Sequence, residues 1–304
     1  MREIRGSIAA IVTPFQSDDE LDLFALHRLI DMHLTEGTDA VSFCGSTGEV
    51  LGLNLEEITT IFNESVQHVA GRIPVIGGVF SCSTKEAVKI AQIAKASGVD
   101  ACLAVVPYFN RPSFEGLKQH FFAIAEVGLP IIFYNHPSRT SLKLHFEELV
   151  EVCEHPMIFA IKEGSGDLDT MQQFMRYSKK RLFSGDDVLS LSQMAAGAQG
   201  VISIVANVIP RLWHNYTTAC LANDYTKARE LYRSVEDLCY AMILETNPQC
   251  VKYALSLMGK CEAKMRLPLV IPRHKTCQVI QKAMRLKSLI LPQKERKLEE
   301  PCIA

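Results

Sequence analysis

The chain has 304 residues, 48% hydrophobic and 22% charged, enough for one large α/β domain or two ordinary ones with a substantial buried core. A formal net charge of −2 supplies no basic footprint for nucleic acid and no polybasic patch for a membrane surface. No apolar run approaches the roughly eighteen residues of a membrane span. Met1-Arg2-Glu3-Ile4-Arg5-Gly6 lacks the apolar core of a secretory signal, and the ten cysteines are scattered without a C-x-x-C pair. The expectation is a cytoplasmic protein with reduced thiols.

Apolar runs at 7–15, 40–45, 74–79, 101–107, 130–135, 158–163, 181–185 and 200–206 predict strands, because a strand covered on both faces has no polar side to show. Segments of helical period lie between them. Leu23, Leu26, Ile30 and Leu34 share one stripe, with Arg28 and Asp31 opposite. Asn54-x-x-Glu57 and Ser83-x-x-Glu86 read as capping boxes that open two further helices. Eight strands alternating with helices predict an α/β fold of the (β/α)8 barrel type. A doubly wound open sheet is the alternative, but neither a G-x-G-x-x-G after the first strand nor a P-loop is present. The last strand ends near 206, and helical runs at 224–244, 250–258 and 275–289 predict a C-terminal helical extension. The division expected is a catalytic barrel over 1–223, an extension over 224–292 and a charged tail over 293–304.

Chemistry-bearing residues gather where strands end. The run Ile158-Phe159-Ala160-Ile161 delivers Lys162 and then breaks into Glu163-Gly164-Ser165-Gly166. An amine there can be desolvated, which favours its neutral, nucleophilic form. Gly45-Ser46-Thr47-Gly48-Glu49 follows the second strand, and its exposed N–H groups and hydroxyls suit a small carboxylate. Tyr134-Asn135-His136-Pro137-Ser138-Arg139-Thr140 follows the fifth, with a tyrosine able to relay protons and an arginine able to grip a carboxylate in bidentate fashion. His136 reads as a loop residue, since no partner spacing supports a metal site. Ser184-Gly185-Asp186-Asp187 reads as a turn with a helix-capping aspartate, and Gly200-Val201-Ile202-Ser203 as buried strand. Each motif taken singly has a plainer explanation: a lysine snorkelling off a strand end, a polar turn, a tyrosine capping the core. Their common position at C-terminal strand ends, converging on one mouth, is what points to a site.

Together with Pro107-Tyr108-Phe109-Asn110-Arg111-Pro112-Ser113, Asn247-Pro248 and Arg266-Leu267-Pro268, these motifs resemble the dihydrodipicolinate synthase family in order along nearly the whole chain. The wider family contains N-acetylneuraminate lyase and 2-keto-3-deoxy-sugar-acid aldolases. The resemblance implies a (β/α)8 Schiff-base enzyme that needs no metal or organic cofactor. By resemblance, Lys162 forms an imine with pyruvate, Tyr134 shuttles protons, and Ser46 stands where a hydroxyl links the tyrosines. Thr47 and the backbone at Ile202 would hold the pyruvate carboxylate and keto group, and Gly185 would leave room beside it. Arg139 would bind the carboxylate of L-aspartate-4-semialdehyde, favouring a synthase of lysine and diaminopimelate biosynthesis over a sugar-acid lyase. A catalytically idle keto-acid-binding relative is a further alternative. The implied assembly is a homotetramer, a dimer of dimers.

The sequence departs from the family pattern in two places. Synthases usually carry Tyr-Tyr where this chain has Tyr108-Phe109, so the relay lacks its third hydroxyl. The expectation is that Tyr108, on the opposite face of an extended strand, cannot replace it, and that a water bridges the gap. Relatives inhibited by lysine bind it through histidines and an asparagine, where this chain has Leu55, Ile58 and Cys82, with Glu86 and Tyr108 retained. Weak or absent lysine feedback is expected.

Overall fold

Eight parallel strands close into a barrel in the computed structural model, which describes residues 2–290. They are β1 (Gly6–Ala10), β2 (Ala40–Phe43), β3 (Val75–Val79), β4 (Ala101–Val105), β5 (Ile131–Asn135), β6 (Ile158–Glu163), β7 (Arg181–Ser184) and β8 (Gly200–Ser203). Each pairs with its neighbour in sequence, and β8 returns to β1 with Gly6 opposite Gly200, so no strand edge is left open. Order and number are those expected from the apolar runs. The charged tail at 293–304 lies outside the described residues. Among the described residues, no helix is long and apolar enough to cross a membrane.

Several strands stop earlier than their apolar runs, β1 and β8 by the most. The run 7–15 pairs only as far as Ala10, and 200–206 only as far as Ser203, after which Val205–Asn207 form a 3-10 turn. Apolarity reports burial rather than ladder pairing. Ile11, Val12, Phe15 and Val205 are buried where the chain bends over the barrel rim.

The helix starts follow from local hydrogen bonding. Leu55–Val69 opens on the complete box: Asn54 accepts from Glu57 N (2.9 Å) and Glu57 accepts from Asn54 N (2.8 Å). In Thr84–Ser97 only half of the box forms, because the Glu86 carboxylate accepts instead from the Ser81 hydroxyl at 2.7 Å. That helix ends on Gly98 at φ +85, a left-handed cap that glycine takes without strain.

Helix Pro210–Leu221 completes the barrel wall, and four more follow at Tyr225–Arg233, Glu236–Met242, Gln249–Leu257 and His274–Leu286. The single run expected over 224–244 is split at Val235, which leaves helical geometry (φ −127, ψ 0) while staying fully buried. The C-terminal helices reach back to the barrel mouth through Lys252, whose Nζ lies 2.5 Å from Glu49 Oε1 with both side chains buried. Glu49 Oε2 accepts from Arg266 N (3.1 Å), and the Arg266 guanidinium forks onto both Glu57 oxygens at 2.5 and 2.9 Å. Lys252 and Arg266 both stack on Phe15, 4.3 and 4.4 Å from its centroid.

Candidate active site

Parallel pairing of β5 with β6 sets Tyr134 opposite Lys162, so both project from strand ends on one side of the sheet. The Lys162 amine lies 4.3 Å from the Tyr134 ring centroid. Burial lowers the Lys162 pKa to about 7; Asp187 opposes that shift and the Arg139 charge reinforces it. The amine is therefore substantially neutral near pH 7, as a nucleophile requires. Burial pushes the Tyr134 phenol upward, so it stays protonated and able to donate.

Gly185 allows the lysine to lie where it does. A Cβ there would sit 2.9 Å from the Glu163 carbonyl oxygen and 3.0 Å from Lys162 Cε. Thr47 is buried, and its hydroxyl accepts from Asn247 Nδ2 at 2.9 Å. Ile202 is buried within β8 opposite Ile8; the residue from this strand's end that lines the cavity is Ile204.

Two of the loop acids differ from their sequence reading. Neither aspartate after β7 caps the helix Ser190–Ala195, whose N-cap is Leu189. Asp186 accepts from Val188 N (2.8 Å) and Leu189 N (3.1 Å), closing a turn. Asp187 reaches across to Ile204 N and Val205 N at 2.9 and 2.8 Å, tying the β7 loop to the β8 end. Burial raises its carboxyl to about 6. Glu163 accepts from Asn135 Nδ2 (2.8 Å) and Ser165 N (2.6 Å), which fixes the loop after Lys162.

The cavity has two chambers. The inner, about 50 Å³, holds Lys162, Thr47, Gly185 and Ile204. At roughly 10–15 Å³ per enclosed water it has room for about three to five waters, the scale of a three-carbon acid. The outer, about 340 Å³, is walled by Glu49, Leu51, Tyr108, Leu267 and Leu269. Ser46, Phe80, Tyr134, His136, Arg139 and Asn247 line both and form the neck. His136, read from sequence as a loop residue, thus belongs to the cavity.

Phe109 stands outside the site. It is 92% exposed at φ +69, in the loop after β4 rather than in a strand. Strand alternation therefore does not govern Tyr108 and Phe109, which lie beyond β4 on a backbone that turns left-handed at Phe109. Tyr108 lines the outer chamber, and burial raises its phenol to about 12. It also borders a separate groove of about 820 Å³ with Leu55, Ile58 and Glu86; Cys82 is exposed and is not part of that lining.

Residues 3–286 match the family model described as "Dihydrodipicolinate synthetase family". The 4-hydroxy-tetrahydrodipicolinate synthase of Dechloromonas aromatica is 40% identical over 269 residues, 88% of this chain and 92% of that protein. Dihydrodipicolinate synthase from Aquifex aeolicus superposes with a TM-score of 0.93 at 37% identity, covering 95% of this chain and all of that one. The chloride-inhibited enzyme from Acinetobacter baumannii, solved in complex with pyruvate, gives 0.92 at 36% identity over the same shares. A closed eight-stranded barrel, a desolvated lysine facing a tyrosine, and agreement along almost the full length of both chains lead to one assignment: the chain belongs to the dihydrodipicolinate synthetase family.

Proposed function

We infer that this chain is a lyase that condenses pyruvate with L-aspartate-4-semialdehyde to 4-hydroxy-tetrahydrodipicolinate, with Lys162 as the Schiff-base nucleophile. The observation that carries the reading is the desolvated Lys162 amine in a small chamber that opens, through a polar neck, into a larger one. The neutral amine adds to the pyruvate ketone, and loss of water leaves a protonated imine. That imine draws electrons from the methyl carbon, which loses a proton to give an enamine. The enamine carbon bonds to the aldehyde carbon, whose oxygen takes up a proton. The acceptor's amino group then attacks the imine carbon and expels the lysine as the ring closes. Tyr134 moves protons to and from the carbinolamine oxygen, with Ser46 beside it at the neck. Thr47 and the main chain around Ile202 hold the pyruvate carboxylate, and Gly185 keeps the space beside Lys162 open.

Borohydride reduction in the presence of pyruvate tests the central step, because it fixes the imine as a stable adduct. A pyruvyl mass on the peptide holding Lys162 is the expected outcome. Its rate of formation should climb as pH rises through about 7, where the amine loses its proton, and level off above. No adduct, or a rate that climbs only near pH 10, would overturn the assignment.

Arg139 chooses the acceptor. Arg139 lines the neck, and that position supports its reading as the group that receives the semialdehyde carboxylate. Arg139→Ala should raise KM for the semialdehyde by about 10- to 100-fold, the scale of a lost charge-assisted hydrogen bond, and KM for pyruvate much less. Equal effects on both would point to a sugar-acid lyase instead.

We further propose that copies of the chain associate as a homotetramer. What supports the association is Phe109, an aromatic side chain 92% exposed that suits burial against a second copy.

A further inference from the structure

Of the six side chains at the neck, His136 is the one imidazole, and the reaction described above gives it no task. It follows the last residue of β5 directly, and Pro137 starts the short helical turn Pro137–Thr140 behind it. Its ring meets Tyr134 edge-on, with centroids 5.6 Å apart and planes at 71°. Gly164 leaves it space: a Cβ there would lie 3.3 Å from His136 Cδ2. Nδ1 lies 3.0 Å from Ser138 Oγ, the one hydrogen bond of the imidazole among the described residues. Nε2 has no hydrogen bond among the described residues, on a side chain that lines both chambers.

Charge state and tautomer both bear on what Nε2 can offer. Burial, then the positive charges of Lys162 and Arg139, hold the imidazole down at about 4, so it is neutral at working pH. The Nδ1–Ser138 contact fits either tautomer; the one in which the hydroxyl donates to Nδ1 puts the ring proton on Nε2, where it can donate. Such a donor suits neither an ammonium group nor an apolar chain. It suits an oxygen on which negative charge builds. Arg139 lies one turn further on, its N–H bonded to the His136 carbonyl at 2.9 Å, so the main chain holds the two residues at a fixed spacing.

We propose that His136 is a specificity-determining residue for the second substrate: its Nε2–H donates a hydrogen bond to the acceptor's aldehyde oxygen while Arg139 holds that acceptor's carboxylate. This role rests on the Schiff-base reading above. No proton need leave the ring. The bond strengthens as the carbon–carbon bond forms and the carbonyl oxygen gains charge.

Three variants, His136→Val, His136→Gln and His136→Asn, compared by pyruvate trapping and by steady-state kinetics, test it. His136→Val should trap pyruvate on Lys162 at a rate within about twofold of the unsubstituted protein and lose about 10- to 100-fold in kcat/KM for the semialdehyde. Glutamine places an amide N–H near the position of Nε2 and should recover most of that loss. Asparagine mimics Nδ1 and should not. A purely structural side chain would not separate Gln from Asn. The role is overturned if His136→Val keeps kcat/KM for the semialdehyde within twofold, or if pyruvate trapping falls as far as semialdehyde turnover. Failure of the unsubstituted protein to trap pyruvate would instead overturn the Schiff-base reading, and this role with it.

Discussion

Lys162→Met should abolish pyruvate trapping and lower kcat by more than about 10⁴-fold, while making the fold more stable. The first effect follows from covalent catalysis: without the amine there is no imine, no electron sink and no enamine, and the remaining binding groups cannot replace that pathway. The second follows from proton linkage. The folded-state pKa of about 7 lies below the ordinary lysine value of 10.5, so between those two pH values the unfolded chain binds more protons than the folded one. Stability contributed by this group therefore rises with pH from about 7 to about 10.5, and at pH 7 the buried amine is a net cost. Methionine removes that cost and keeps most of the volume. Thermal unfolding at pH 7 should show a Tm gain of a few degrees, and the gain should shrink as pH approaches 10. A lower Tm would mean that the lysine is held by contacts stronger than its desolvation.

Glu49→Leu should cost about 3–5 kcal/mol, because it leaves the Lys252 ammonium buried without its partner. Burial already pulls the Lys252 pKa down, with Glu49 opposing that shift. Once Glu49 is gone, the amine must give up its proton or drag water into the joint. The same change frees Arg266 N, so loosening should spread to the wall of the outer chamber formed by Leu267 and Leu269. Urea unfolding of Glu49→Leu, Lys252→Met and the double variant gives the test. Each single change should shift the midpoint strongly, and the pair together by less than their sum, since two apolar groups of similar size can replace a buried ion pair at little cost. Additive losses would show that the two side chains act independently.

The barrel was legible because burial leaves a plain mark: eight apolar runs separated by segments of helical period correspond to eight strands in the same order. Strand lengths were not legible, since Ile11, Val12 and Val205 are as buried as their paired neighbours without belonging to the ladder. Lys162 could be found because a lysine inside an apolar run is incongruous. Asp187 could not, because its partners Ile204 N and Val205 N lie 17 and 18 residues further on, and nothing local distinguishes it from a capping residue. His136 escaped notice for a similar reason. Its spacing to other metal-binding types is uninformative, whereas the barrel pairing that sets Tyr134 beside Lys162 brings the imidazole to the same neck. At Tyr108-Phe109 the alternation rule did not apply, since both residues lie beyond β4 and the φ at Phe109 is left-handed.

The pairing of Gly6 with Gly200, and of Glu49 with Lys252 across 203 residues, has a consequence for a chain still being made. Contacts of that span cannot form until the later partner has been synthesised, and with growth at roughly 5–20 residues per second the stretch from Ser203 to Lys252 adds several seconds. Until the barrel closes, Lys162 is in water, carries its ordinary charge and is a poor nucleophile. Only the closing of the last strand against the first dries its surroundings and releases its lone pair. The nascent polypeptide is thus chemically silent toward the keto acids and aldehydes around it, and reactivity arrives together with the completed cavity that directs it.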